Sequence, residues 1–166
     1  MPAHGTPAID ALRRAGISFD VLEYESPAAH GRDRDARPSY GREAATALGV
    51  DPARVFKTLV AAADGRLIAA LVPVDRELDL KRLASAAGAR KAALADPAAA
   101  ERATGYVVGG ISPIGGRRTL PTYLDTSAEG AGMVYVSAGR RGLQLALDPA
   151  DLVRATNATV ADIARP

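Results

Sequence analysis

The sequence predicts an α+β domain built on a curved, barrel-like mixed β-sheet flanked by short helices. Segments with clear helix start and stop residues alternate irregularly with hairpin signals, and the last third is crowded with short β-rich runs. No regular strand-helix-strand alternation appears, which argues against a doubly wound parallel sheet. The 166 residues are 48% apolar with no break in composition, so residues 1–166 read as one unit with room for a real core.

Thr6-Pro7 opens a first helix over Ala8–Ala15 that Gly16 ends, with Thr6 as the cap. Ile17–Tyr24 alternates as a strand would. Glu25–Ser39, charged and carrying Pro27, Gly31 and Pro38, reads as a long mobile loop and is taken as an insertion. A second helix follows Tyr40-Gly41 and stops at Gly49. Val55–Ala62 and Leu67–Val74 are β-rich runs either side of Asp64-Gly65, the signature of a hairpin. Asp79 caps a helix over Leu80–Ala87, and Asp96-Pro97 starts another that Gly105 ends. Strands are expected at Leu120–Asp125, Met133–Ser137 and Leu143–Leu147, then a helix from Asp148-Pro149 and a final strand over Thr159–Ile163.

Composition removes several chemistries. With no cysteine, the chain has no disulfide, thiol nucleophile or thiolate metal site of its own. The only histidines are His4 and His30, in poorly placed segments, so neither a His-dependent triad nor a His-based metal site is supported. Ser112 is not in G-x-S-x-G because position 114 is Ile. Gly110 to Gly115 imitates the opening of a P-loop, yet Gly116-Arg117 stands where Lys-Ser/Thr is required. No cofactor and no metal are expected. No apolar run spans a bilayer and no basic-then-apolar leader precedes the chain, which predicts a cytoplasmic protein with no membrane partner. The formal charge of +2 is a weak hint of an anionic partner. Arg117-Arg118 and Arg140-Arg141, each after a glycine-bearing loop, either flank a phosphate backbone or form a solvated surface.

Two stretches carry the positive signal. Gly105–Gly116 holds five glycines and Pro113, which forbids an ordinary helix and exposes backbone N–H groups able to meet an anionic or carbonyl oxygen. The alternative is a strand ending in a plain surface turn. In Val55-Phe56-Lys57-Thr58-Leu59, alternation places Lys57 beside Val55, Leu59 and Ala61. If that face is inward, an ammonium near the core calls for an anion or carbonyl partner; otherwise the lysine faces solvent or snorkels. With 18 arginines and three lysines in the chain, a lysine here points to a need for compact charge.

These stretches, together with Val134–Leu143, resemble the signatures of the YbaK/EbsC group of aminoacyl-tRNA deacylases, related to the editing domain of bacterial prolyl-tRNA synthetase. The likeness runs in order from Thr6-Pro7-Ala8 to Ala161–Ala164. It implies the corresponding fold and a trans-editing enzyme that removes cysteine from mischarged Cys-tRNA(Pro). In that group the substrate's own thiol is thought to attack its ester, which suits a chain without a nucleophile. Carried over residue by residue, Lys57 and Gly109 take the catalytic positions. Thr58, Gly110, Ile111, Ser112 and Pro113 shape the substrate pocket, and Tyr24, Tyr40 and Ser137 match further substrate-binding positions, though packing or capping explains these three as readily. The resemblance also implies a monomer whose partners are mischarged tRNA-Pro and prolyl-tRNA synthetase. Gln144 departs from the acidic residue of close relatives, which bears on substrate preference. The alternatives are deacylation of another mischarged tRNA, such as Ala-tRNA(Pro), and, in a different class, a non-catalytic tRNA- or synthetase-binding module.

Overall fold

A computed structural model describes residues 5–25 and 40–166. His4, His30 and all but the first residue of the expected loop Glu25–Ser39 lie outside them.

Helix α1 (Pro7–Arg14) begins as its sequence requires. The Thr6 hydroxyl accepts from the Ile9 N–H at 3.2 Å and donates to the Ala138 carbonyl at 2.6 Å, so one side chain caps the helix and ties it to a distant strand. At its end the Gly16 N–H reaches the Arg13 carbonyl and the Ile17 N–H reaches the Leu12 carbonyl, both at 3.1 Å. This closure shortens the next strand. Ile17 spends its N–H on the helix and buries its side chain, and β1 covers Asp20–Glu23 instead of Ile17–Tyr24.

Helix α2 (Tyr40–Leu48) and a 3-10 turn (Pro52–Arg54) lead into the hairpin of β2 (Phe56–Ala63) and β3 (Arg66–Pro73). Asp64 and Gly65 both adopt positive φ, 49° and 82°, as a two-residue type I′ turn demands. There follow β4 (Glu77–Leu78), α3 (Leu80–Ala86), β5 (Ala92–Leu94), α4 (Pro97–Thr104), β6 (Thr122–Asp125), β7 (Val134–Arg140), β8 (Leu143–Leu147), α5 (Pro149–Thr156), β9 (Thr159–Ala161) and β10 (Ala164–Arg165). Strands β4, β5 and β10 have no counterpart in the sequence reading, because two or three residues are too few to show a period. Strand β6 starts two residues later than expected: Pro121 has no N–H, and only its carbonyl is used, by the Ala69 N–H at 2.8 Å.

The mixed α+β class is what forms. A five-stranded sheet runs β5-β2-β3-β6-β9, with β6 parallel to both of its neighbours and the other pairs antiparallel. A three-stranded sheet runs β1-β8-β7, and β10 pairs with β4. A parallel bridge between Val55 and Tyr135 joins the two larger sheets. Arg54 pins that junction, its Nε donating to the Met133 carbonyl at 2.9 Å while its guanidinium lies 5.6 Å from the Tyr135 ring centre. One face of the large sheet packs Phe56, Leu71 and Leu124 against Ile9, Leu12, Leu145 and Leu152; the other packs Ala61, Ile68, Ala70 and Val72 against Leu83 and Ile163.

Asp125, only 1% exposed, closes the C-terminal end. Its Oδ1 accepts from the N–H groups of Ile163 and Ala164, each at 3.0 Å, and its Oδ2 from Ser127 at 3.1 Å. The strand expected over Thr159–Ile163 stops at Ala161, and the carboxylate takes the amides of Ile163 and Ala164 just beyond it. Burial pushes this carboxyl up, but the hydrogen bonds outweigh it and hold the group below its ordinary range. A folded value below the unfolded one, about 3.9, stabilises the fold above that pH, and the contribution fades as pH falls through the folded value. Asp125→Ala should cost about 2–4 kcal/mol in urea unfolding at pH 7, by orphaning buried amides. The gap between variant and wild type should narrow as pH is lowered from about 5 to 2.

Candidate functional site

Strand β2 shares one edge with two strands that take opposite ends of it. Strand β5 pairs with Ala61–Ala63, while β7 touches it through the bridge at Val55. Because Val55 accepts from the Val74 N–H at 2.8 Å, the antiparallel alternation directs the backbone groups of Phe56 and Thr58 away from β3, toward this opening. A cavity of about 410 Å³ fills the gap. Its walls are β2 from Val55 to Val60, Tyr40 and Gly41 of α2, Pro97 and Ala100 of α4, the loop residues Val108, Gly109 and Ile111, and Ser137 and Gln144 from β7 and β8.

Six of the residues singled out in the sequence meet here: Tyr40, Lys57, Thr58, Gly109, Ile111 and Ser137. The others lie close by but not on this wall. Ser112 and Pro113 face a smaller neighbouring cavity. Gly110 is buried against the Arg140–Arg141 backbone, where a Cβ would approach within 2.9 Å. Tyr24 is half-buried against the Gly142 backbone and the Gln144 side chain; burial raises its phenol above the ordinary tyrosine value, a neighbouring Glu43 adds to this, and the two contacts partly oppose it.

Lys57 is partly buried and lines the cavity. Loss of water lowers its pKa, Arg42 lowers it further, and Glu77 and Asp75 partly compensate from a distance. No ion pair with Lys57 occurs among the described residues. A cation partly stripped of water, with no carboxylate in contact among the described residues, gains from an incoming carbonyl or anion.

The glycine-rich loop is held rigidly by side chains. The Val108 N–H donates to Glu101 Oε2 at 2.9 Å and its carbonyl accepts from Arg141 Nε at 2.8 Å, so both polar groups of one loop residue are gripped from opposite sides. The Arg141 guanidinium also lies 5.0 Å from the centre of the Tyr40 ring. Farther on, buried Tyr106 donates its hydroxyl to the Ile114 carbonyl at 2.7 Å, and burial pushes its pKa up to about 12. Between these anchors the Gly109 N–H has no partner among the described residues. Gly109 has φ of 91°, and a Cβ there would lie 2.8 Å from the Tyr40 ring and 2.9 Å from Arg141 Nε. Only glycine fits.

The sequence reading names Gln144 only as a departure that bears on substrate preference, and it does not place Glu101 or Arg141 in the site. Of the Arg140-Arg141 pair, for which a phosphate backbone and a solvated surface are both open in the sequence, Arg141 bonds Val108 and lies over Tyr40, and Arg140 pairs with Glu23 at 3.4 Å. An acid one turn before a glycine loop was the available signal for Glu101. Gln144 is 6% exposed, and its Oε1, like Thr58 Oγ1 and Glu43 Oε1, is buried with no hydrogen-bond partner. Native proteins rarely leave such atoms unmatched. Among the described residues no group of three His, Cys, Asp or Glu side chains is placed to hold a metal ion, and no helix is long and apolar enough to cross a membrane. Gly109→Ala should lower stability by about 1–3 kcal/mol, read by denaturant unfolding, since it combines a disfavoured φ with a ring clash.

The profile of the aminoacyl-tRNA editing domain matches residues 38–155. Over 120 residues the chain is 41% identical to "Putative Cys-tRNA(Pro)/Cys-tRNA(Cys) deacylase EbsC" of Enterococcus faecalis, covering 72% of this chain and 73% of that one. Over 110 residues it is 41% identical to a proline–tRNA ligase of Moorella thermoacetica, covering 59% of this chain but 19% of the ligase. A solved structure described as "Crystal structure of a putative trans-editing enzyme for prolyl tRNA synthetase" superposes with a TM-score of 0.82 at 27% identity, covering 99% of this chain and 100% of that one. The stretch matched by the profile contains every wall of the large cavity, from Tyr40 to Gln144, and the chain belongs to the aminoacyl-tRNA editing domain family.

Proposed function

We propose that this protein is a free-standing editing deacylase that clears cysteine from mischarged Cys-tRNA(Pro). One observation carries the reading: Lys57, an ammonium with no ion-pair partner among the described residues, and Gly109, an amide with no hydrogen-bond partner among them, line the same cavity. Lys57 would hold the ester or the terminal ribose, and the Gly109 N–H would receive the carbonyl oxygen as it gains charge. Thr58, Ile111, Ser137, Tyr40 and Gln144 would enclose the amino acid, with Tyr24, Gly110, Ser112 and Pro113 supporting that wall.

The chemistry needs no nucleophile from the protein. The substrate thiol attacks its own ester carbonyl, a C–S bond forms, the C–O bond to ribose breaks, and the thiol proton ends on the ribose oxygen. The product is a thiolactone and free tRNA. A pocket that folds the aminoacyl group back on itself supplies proximity, worth several kcal/mol of the barrier on the order of the 7–11 found for well-oriented intramolecular reactions. The enzyme would act in the cytoplasm as a monomeric single domain, in company with prolyl-tRNA synthetase, whose relatives contain a matching segment.

A second reading rests on Gln144. Its neutral, buried amide leaves an acceptor unmatched on the cavity wall, which suits a donor on an amino acid other than cysteine, with hydrolysis in place of cyclisation. Cysteine-, serine- and alanine-charged tRNA-Pro separate the two readings. Self-attack predicts that only the cysteine ester is lost quickly, whereas rapid loss of the serine ester, whose hydroxyl can donate to that oxygen, would favour the second. Lys57→Ala should reduce kcat/KM on the preferred substrate by at least about a hundredfold, in line with removal of a charged transition-state contact. Near-normal turnover in that variant would overturn the assignment of Lys57.

A further inference from the structure

Thr58 and Val60 form a partition. One side is the large cavity; the other is a second hollow of about 140 Å³ that the proposed chemistry leaves unused. Val60, Ala69 and Thr122 stand in one row across β2, β3 and β6. All three line the smaller hollow, so the Thr58 side chain, two residues along β2, points to the same face. Along the glycine-rich loop, Ile111 belongs to the large cavity and Ser112 to the small one.

The small hollow is rich in hydrogen-bond donors and has no carboxylate in its lining. The N–H groups of Gly115, Gly116 and Thr119 have no partner among the described residues. Ser112, 3% exposed, accepts from the Ile114 N–H at 3.3 Å, which leaves its own hydroxyl hydrogen uncommitted. Thr58 Oγ1 is buried with no partner at all. Arg118 lines the hollow, is exposed, and joins no ion pair among the described residues. The donors are fixed in place. Gly115 is pressed so tightly on the start of α1 that a Cβ would lie 2.5 Å from the Pro7 carbonyl oxygen, and the Arg117 and Arg118 amides bond the carbonyls at the end of α4 at 2.9 Å.

Unpartnered amides and hydroxyls lining one hollow beside an exposed arginine, with no acid among the lining residues, suit a tetrahedral oxyanion. We infer that this hollow is a phosphate subsite that takes a phosphodiester of the tRNA 3′ strand while the esterified end occupies the cavity across the partition. The inference rests on the deacylase reading for its ligand but not for its anion chemistry. A mononucleotide-sized step separates an ester from the nearest phosphate, as the shared wall requires.

The test has two arms. Inorganic phosphate titrated into the intact protein should shift the backbone amide resonances of Gly115, Gly116 and Thr119, and Arg118→Ala and Ser112→Ala should each weaken that binding severalfold. Kinetically, Arg118→Ala should raise KM for Cys-tRNA(Pro) about tenfold with kcat retained, the loss expected for one charged phosphate contact. Its effect should be confined to that substrate and absent with cysteinyl-adenosine, which carries no phosphate. Amides that ignore phosphate overturn the anion site. Phosphate binding without a KM effect on tRNA, or an equal effect on both substrates, overturns the assignment to the RNA strand. If wild-type protein cleaves neither substrate, the deacylase reading fails and the RNA strand with it, while the titration decides the anion site alone.

Discussion

The architecture of the site depends on an unequal sharing of one strand edge. Strand β2 cannot be paired along its whole outer edge, because β5 claims its last residues and β7 comes to it only at Val55. A sheet edge left open in this way is ordinarily a liability, exposing unpaired backbone to other chains. Here α2, α4 and the glycine-rich loop roof it over, so the opening becomes an enclosed space with backbone polarity along its floor. The position of Lys57 follows directly, since it belongs to the stretch of β2 between those two attachments.

The second element of the site is a loop whose flexibility has been removed. A segment with five glycines has a large conformational entropy to lose, which burial of Tyr106 and Ile114 in the main core helps to offset. Glu101 and Arg141 reduce that freedom by binding the N–H and C=O of Val108, and Tyr106 anchors the far end at Ile114. Arg141 also bears on Tyr40, so the loop, α2 and β7–β8 are joined through one guanidinium. Preorganised amides of this kind stabilise developing charge better than mobile ones, because little reorganisation is left to occur during reaction.

Much of the fold was legible in the sequence, and for identifiable reasons. Thr6, Asp79 and Asp148 announce helices because a short side chain must satisfy the first free amides, and each of them does so. Asp64-Gly65 announces its hairpin because few other pairs tolerate two positive φ values. Asp96 opens α4 by position alone, with no side-chain bond. What stayed hidden was long-range. The clamp on Val108 joins residues 33 apart, the Asp125 carboxylate serves amides 38 and 39 positions away, and neither leaves a local pattern. Lys57 and the glycine-rich loop stood out through residue type and Gln144 through its departure from an acid, whereas Glu101 and Arg141 acquire their meaning only from what the fold brings beside them.

The family profile begins at residue 38, yet α1 and β1 lie before it and are structurally indispensable neighbours. Ile9 and Leu12 are fully buried against the same core as Phe56 and Leu145, β1 completes the edge of β8, and Pro7 abuts the glycine-rich loop at Gly115. The segment that the profile matches is thus shorter than the segment that packs around this core. A fragment trimmed to the shared segment would bare a leucine-rich surface and an unpaired strand, inviting self-association before it could present its cavity to any nucleic acid.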